Sequence, residues 1–96
     1  MRIMAVDDEI MALEDFEDTC REIGINDEII KFSNPLDALG YVATNKIDIA
    51  FLDINMRGIG GLGLAEKLLE LQPRCKIVFC TGYEEYAVSA FQLHVS

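Results

Sequence analysis

The sequence predicts an α/β fold: a doubly wound parallel sheet of four strands in the order 2-1-3-4, with helices packed on it. Three observations carry that expectation. Short apolar runs at residues 2–6, 28–32, 47–53 and 76–81 have the length and composition of strands. Segments with apolar residues at helical spacing alternate with them, and the connections are too short for antiparallel hairpins across the sheet. Alternation of this kind implies right-handed βαβ units and a parallel sheet. The first and third runs are the most apolar and inner; as neighbours they set the order and place the topological switch point between them.

Arg2-Ile3-Met4-Ala5-Val6 stops at Asp7-Asp8-Glu9. Leu13, Phe16, Cys20 and Ile23 then follow at helical spacing, an amphipathic helix of about four turns with Gly24 as its stop. Asp8 or Glu9 near its start suits the helix dipole. Glu28 to Phe32 is a shorter, more polar strand, expected at an edge. Ser33-Asn34-Pro35-Leu36-Asp37 is a strong helix start, with Asn34 as cap, Pro35 at the first helical position and Asp37 in the first turn. That helix is expected to carry Leu36, Leu39 and Val42 and to reach about Thr44 despite Gly40.

The third strand ends in Asp53, with Asp48 its only polar interruption. A glycine-rich connection, Gly58-Ile59-Gly60-Gly61, follows; it lacks the Gly-Lys-Ser/Thr ending of a P-loop and the spacing of a dinucleotide fingerprint. The third helix carries Leu62, Ala65, Leu68 and Leu69 and is closed by Pro73. Lys76 to Thr81 is the fourth strand, and a last helical segment runs from about Glu84 to Phe91.

The 96 residues suffice for one small domain, and 51% hydrophobic content favours a folded globule. A formal net charge of −9 argues against nucleic-acid binding by this segment and is compatible with a cation site. Cys20, Cys75 and Cys80 lack tight metal spacing and read as buried reduced thiols of a cytosolic protein. No signal peptide is visible, and no apolar run approaches the roughly 20 residues of a membrane span.

Asp7, Asp8 and Asp53 are expected to converge at the C-terminal rim of the sheet, where open parallel sheets bind ligands. Two unit charges about 4 Å apart repel by roughly 4 kcal/mol at an effective dielectric near 20, so a proton or a cation must offset the crowding. Carboxylate oxygens and a backbone carbonyl suit Mg²⁺. A metal there would neutralise an incoming phosphoryl group, and Asp53 would be the nucleophile forming an aspartyl phosphate. The Thr81 hydroxyl would hydrogen-bond a phosphoryl oxygen. Taken singly these residues have plainer uses: Asp7-Asp8 as a capping pair, Asp53 as a turn aspartate, Thr81 as a strand-end threonine. Their conjunction after strands one, three and four points to chemistry.

Val6-Asp7-Asp8-Glu9, Asp53-Ile54-Asn55-Met56 with Gly61 beyond it, and Thr81-Gly82 together resemble a response-regulator receiver domain. The segment from Phe79 to Phe91 resembles receivers joined to LytTR-type DNA-binding domains. The resemblance implies a flavodoxin-like fold over residues 1–96 and a phosphoacceptor, Asp53, served by a histidine kinase. It implies Mg²⁺ held by Asp8 directly, by Asp7 mainly through water, and by Asp53 and the backbone carbonyl of Asn55. Thr81 would be the switch hydroxyl, and DNA would be reached only through an output domain outside this segment.

Two departures stand out. Receivers usually have Pro four residues after the phosphoacceptor, where this sequence has Arg57. The sequence is also expected to be C-terminally incomplete, lacking the family's fifth strand and helix and the Lys that pairs with the phosphoryl group. Lys76 begins strand four at the wrong end of the sheet to replace it. Strand four would then be an open apolar edge, favouring a homodimer or an element-swapped oligomer. Two other readings compete: a pseudo-receiver acting by protein contact alone, and a Mg²⁺-dependent phosphohydrolase. The latter would need a general acid two residues beyond Asp53, where Asn55 supplies none. His94, the single histidine, reads as a surface or packing residue.

Overall fold

Arg2–Val6 (β1), Glu28–Phe32 (β2), Ile49–Asp53 (β3) and Lys76–Cys80 (β4) pair in parallel in the order β2-β1-β3-β4, in a computed structural model that describes residues 1–80. Ile10–Glu22 (α1), Pro35–Val42 (α2) and Gly60–Leu71 (α3) connect them. Thr81, the helix expected over 84–91 and His94 lie outside the described residues. The expected order is the observed one, and β2 lies at an edge as its polarity implied.

Side chains alternate between the two faces of each strand. Met4, Val6, Ala50, Leu52 and Ile77 point to one face and form the core with Ala38 and Val42 of α2 and Leu64, Ala65 and Leu68 of α3. The opposite face is covered by α1, whose Leu13 and Cys20 are buried and whose Phe16 ring lies 4.7 Å from that of Phe51. Helices on both sides of a parallel sheet make it doubly wound.

Helix boundaries shift some expected core residues outward. α1 ends at Glu22, and Gly24 turns the chain at φ 92°, so Ile23 is 70% exposed rather than part of the buried stripe. In α2 the Asn34 carboxamide accepts from the Leu36 N–H at 2.9 Å and Pro35 opens the helix, as expected. Its buried face is Pro35, Ala38 and Val42, which leaves Leu36 64% exposed. The helix ends at Val42, short of the expected Thr44, and the backbone and side-chain nitrogens of Asn45 both donate to the Tyr41 carbonyl at its end.

At the pole holding the N-terminal ends of β3 and β4, Gln72 joins three segments. Its amide donates to the carbonyls of Val42 and Asn45, at 2.9 and 2.7 Å, and accepts from the Ile47 N–H at 2.8 Å. Nearby, Asp48 accepts from the Arg2 N–H at 2.7 Å, tying the entry to β3 to the start of β1.

Gly60 and Gly61, expected in a loop, form the first turn of α3. Gly61 is buried there, and its N–H donates to the Ile54 carbonyl at 3.0 Å. A Cβ at Gly61 would overlap the Asp53 carbonyl and come within 2.6 Å of the Ile54 Cα. Only glycine lets the helix approach the end of β3 this closely. Gly40, mid-helix and exposed, has no heavy atom within 4 Å of such a Cβ. Gly61→Ala should therefore lose about 1–3 kcal/mol by overpacking, whereas Gly40→Ala should gain about 0.5–1 kcal/mol. Urea unfolding midpoints at constant m-value measure both; equal responses would contradict the close approach at Gly61.

Candidate functional site

β1 and β3 run side by side with Ala5 opposite Phe51 and Val6 opposite Leu52. Each strand therefore delivers its next acid to the same rim: Asp7 after β1, Asp53 as the last residue of β3. Asp7 shares the α1-facing parity of Ala5, and Asp53 that of Phe51, so both acids point to the α1 side. Asp8 follows Asp7, and a carboxylate oxygen from each of Asp7, Asp8 and Asp53 lies within 4.8 Å of the other two. All three acids remain at least partly exposed to solvent. The expected convergence is observed.

Local hydrogen bonds orient two of them. Asp7 Oδ1 accepts from the Glu9 N–H at 2.9 Å, and the Asp7 N–H donates to the Phe32 carbonyl at 3.1 Å. Asp53 Oδ1 accepts from the Asn55 N–H at 3.2 Å. Glu9 is the N-cap of α1 and makes no side-chain cap, so the acids here bend the loop rather than cap the helix. The Asp53 carboxyl lies above its ordinary value of 3.8. Burial raises it most, the Asn55 N–H opposes the shift, and the charges of Asp7 and Asp8 add to it.

Asn55 is exposed in the loop after β3, adjacent to Asp53. Thr81, the residue after β4, lies outside the described residues. Three carboxylates on one rim, one of them disfavoured as an anion chiefly by burial and further by its neighbours, are a hard oxygen donor set that fits a divalent cation such as Mg²⁺. Among the described residues no helix is long and apolar enough to cross a membrane.

Two features escaped the sequence reading. Cys80 pairs in register with Asp53 and is exposed, whereas Cys20 and Cys75 are buried as expected. The reason is position: Cys80 ends β4, an edge strand among the described residues, on the face where Val78 is also 42% exposed. Partial burial, then Asp7 and Asp53, push its thiol above the usual range; fuller burial pushes Cys75 up to about 11. Counting the parallel register from Asp53 would have located Cys80. The second feature is a cleft of about 570 Å³ beside the acids, lined by Asp8, Glu9, Asn34, Arg57 and Gly58 among others. A cleft of similar size, about 590 Å³, lies at the opposite pole around Lys46, Asp48, Gln72 and Arg74, away from the acids.

Residues 3–96 match the family model described as the response regulator receiver domain. The transcriptional regulatory protein LytR of Staphylococcus aureus is 32% identical over 96 residues, all of this chain and 39% of LytR. An uncharacterized response regulatory protein of Yersinia pestis is 38% identical over 94 residues, 98% of this chain and 39% of that protein. Among solved structures, the response regulator protein TrrA of Thermotoga maritima, in complex with Mg²⁺-BeF, superposes with a TM-score of 0.80. Its identity is 33%, over 91% of this chain and 74% of that one. The chain thus spans 39% of the length of these two curated relatives.

The raised Asp53 carboxyl has a sign that can be tested. The folded chain holds this proton more tightly than the unfolded chain, so folding is favoured most while it is bound. In metal-free buffer this group's contribution to stability should fall as pH rises from about 3.8 through the raised folded value. Asp53→Asn should raise the metal-free Tm at neutral pH and remove that component of the pH dependence. Mg²⁺ at ten times its Kd should stabilise the wild-type chain by about 1.4 kcal/mol. Thermal melts over a pH series with chelator or Mg²⁺ decide it; a metal-free Tm lowered by Asp53→Asn would contradict the crowding.

Proposed function

The chain belongs to the response regulator receiver domain family, and on that premise we propose that Asp53 accepts a phosphoryl group from a histidine kinase. The observation that carries this reading is the meeting of Asp7, Asp8 and Asp53 carboxylates within 4.8 Å at the rim of the sheet. In it, Asp8, Asp53 and the backbone carbonyl of Asn55 would hold Mg²⁺ directly, and Asp7 mainly through water. Bound there, the ion supplies charge neutralisation for the transferring phosphoryl group. The TrrA structure, which contains Mg²⁺-BeF on the same fold, supports this assignment.

The chain's own residues do the rest. Asp53 is the nucleophile: one of its oxygens bonds to phosphorus as the P–N bond of a phosphohistidine breaks. Asn55 fixes the carboxylate rotamer through its N–H. Gly61 holds α3 against the backbone of Asp53 and Ile54, so the attacking group sits on a rigid support. Transfer adds about −1.5 to −2 charges at the rim. Thr81, one residue past Cys80, is the hydroxyl proposed to turn inward and convert that charge into loop movement.

In this reading the protein is a cytoplasmic signalling module rather than an enzyme. Its output is a DNA-binding domain outside this segment, as the name of the LytR relative suggests. Val78, 42% exposed on β4, an edge strand among the described residues, supports association of two copies.

Incubation with Mg²⁺ and acetyl phosphate, followed by intact-mass measurement, tests the central claim. The wild-type chain should gain the mass of one phosphoryl group, and the gain should vanish in Asp53→Asn and with chelator. No gain in the wild-type chain would overturn phosphoacceptor function and leave a protein-contact module.

A further inference from the structure

The sequence contains eight Lys and Arg residues, and all eight precede residue 81. Arg2, Lys46, Arg74 and Lys76 sit at the N-terminal ends of the strands, the pole opposite the acids. Arg21 lies in the last turn of α1 and donates to the carbonyls of Ile25 and Asp27. Lys31, within β2, is held by Glu17 at 2.6 Å, and Lys67 lies within α3. Arg57 alone occupies a loop at the C-terminal ends of the strands, on the rim that carries Asp7, Asp8 and Asp53.

The loop presents this side chain outward. Ile54 and Met56 are buried to 7% and 8% exposure and anchor the segment. Asn55 and Arg57, between and after them, are exposed. Gly58 follows at φ 83°, with nothing within 4 Å of where a Cβ would stand, so the backbone beside Arg57 has room to adjust. Among the described residues Arg57 takes part in no ion pair, although Asp8 and Glu9 line the same cleft of about 570 Å³. An uncommitted guanidinium that shares a cleft with Asp8, one of the three clustered carboxylates, is placed for an anion that must come close to them.

We propose that Arg57 is a phosphate-binding cation of this site: it receives the phosphoryl oxygens of an acyl phosphate entering through the cleft. The proposal rests on Asp53 being the phosphoacceptor. A dianionic donor approaching a chain of net charge −9 meets three carboxylates at its target. A planar guanidinium offers two parallel N–H donors to phosphoryl oxygens and offsets that repulsion. In the transfer, an Asp53 oxygen bonds to phosphorus, the bond from phosphorus to the acyl oxygen breaks, and the donor departs as a carboxylate. No proton is gained or lost.

The test compares the wild-type chain with Arg57→Ala and Arg57→Lys, following phosphorylation by acetyl phosphate in Mg²⁺ by intact mass. A hydrogen bond to a charged group contributes enough that Arg57→Ala should slow the reaction about tenfold or more. Arg57→Lys should recover part of the rate, and the deficit should shrink at high ionic strength. Calorimetric titration with Mg²⁺ alone is the second readout. Because Arg57 repels a neighbouring cation, Arg57→Ala should bind Mg²⁺ as well as the wild type or more tightly. An unchanged phosphorylation rate would overturn the proposal. So would weakened Mg²⁺ binding, which would make Arg57 a support for the site's shape. A wild-type chain that takes up no phosphoryl group would instead remove the phosphoacceptor reading, and this inference with it.

Discussion

Three carboxylates repel one another, and left to themselves they would separate. Here the parallel pairing of β1 with β3 prevents it. The ladder that sets Val6 beside Leu52 sends the next acid of each strand to the same rim. Met4, Val6, Ala50 and Leu52 are buried almost completely beneath α2 and α3, so the strands cannot slide apart to relieve the charge. A slip of one residue would turn every apolar side chain of β3 to the wrong face. The hydrophobic core thus imposes an electrostatic arrangement that the acids would not adopt alone. Asp53 carries both consequences: its carboxyl is raised chiefly by partial burial at the end of β3, with the charges of Asp7 and Asp8 adding to the shift.

Much of this could be read from the residues in order. The strands were legible because each buried run is brief and the two inner ones end in carboxylates, a change of polarity that marks where the sheet meets water. Asn34-Pro35 announced its helix because capping and a fixed φ are local properties. Helical faces were harder. Ile23 and Leu36 fit an apolar stripe by spacing, yet both are exposed: Ile23 lies just past the end of α1, and the buried face of α2 is Pro35, Ala38 and Val42. Gly60 and Gly61 looked like loop because glycine is a poor helix former. Gly61 is needed for a contact with the backbone of another segment and Gly60 for a positive φ, neither of which composition expresses.

At the rim itself, the acids were legible and their surroundings were not. Asp7, Asp8 and Asp53 are the places where apolar strands stop, so topology alone brings them together. The exposed thiol of Cys80 depends on where the sheet ends laterally, and the cleft shared by Asp8 and Arg57 depends on the path of two loops. The family relationship supplies the chemistry for such a rim, and among the described residues Arg57 is the cation in the loops beside it.

Gln72 has a bearing on how such a molecule would respond to a new charge. One carboxamide knots the end of α2, the approach to β3 and the end of α3 together with three short bonds, and Asp48 laces the start of β1 into the same bundle. That end of the molecule behaves as a clamped base. A disturbance introduced at the acids, at the other pole, meets a base whose three segments are already tied to one another.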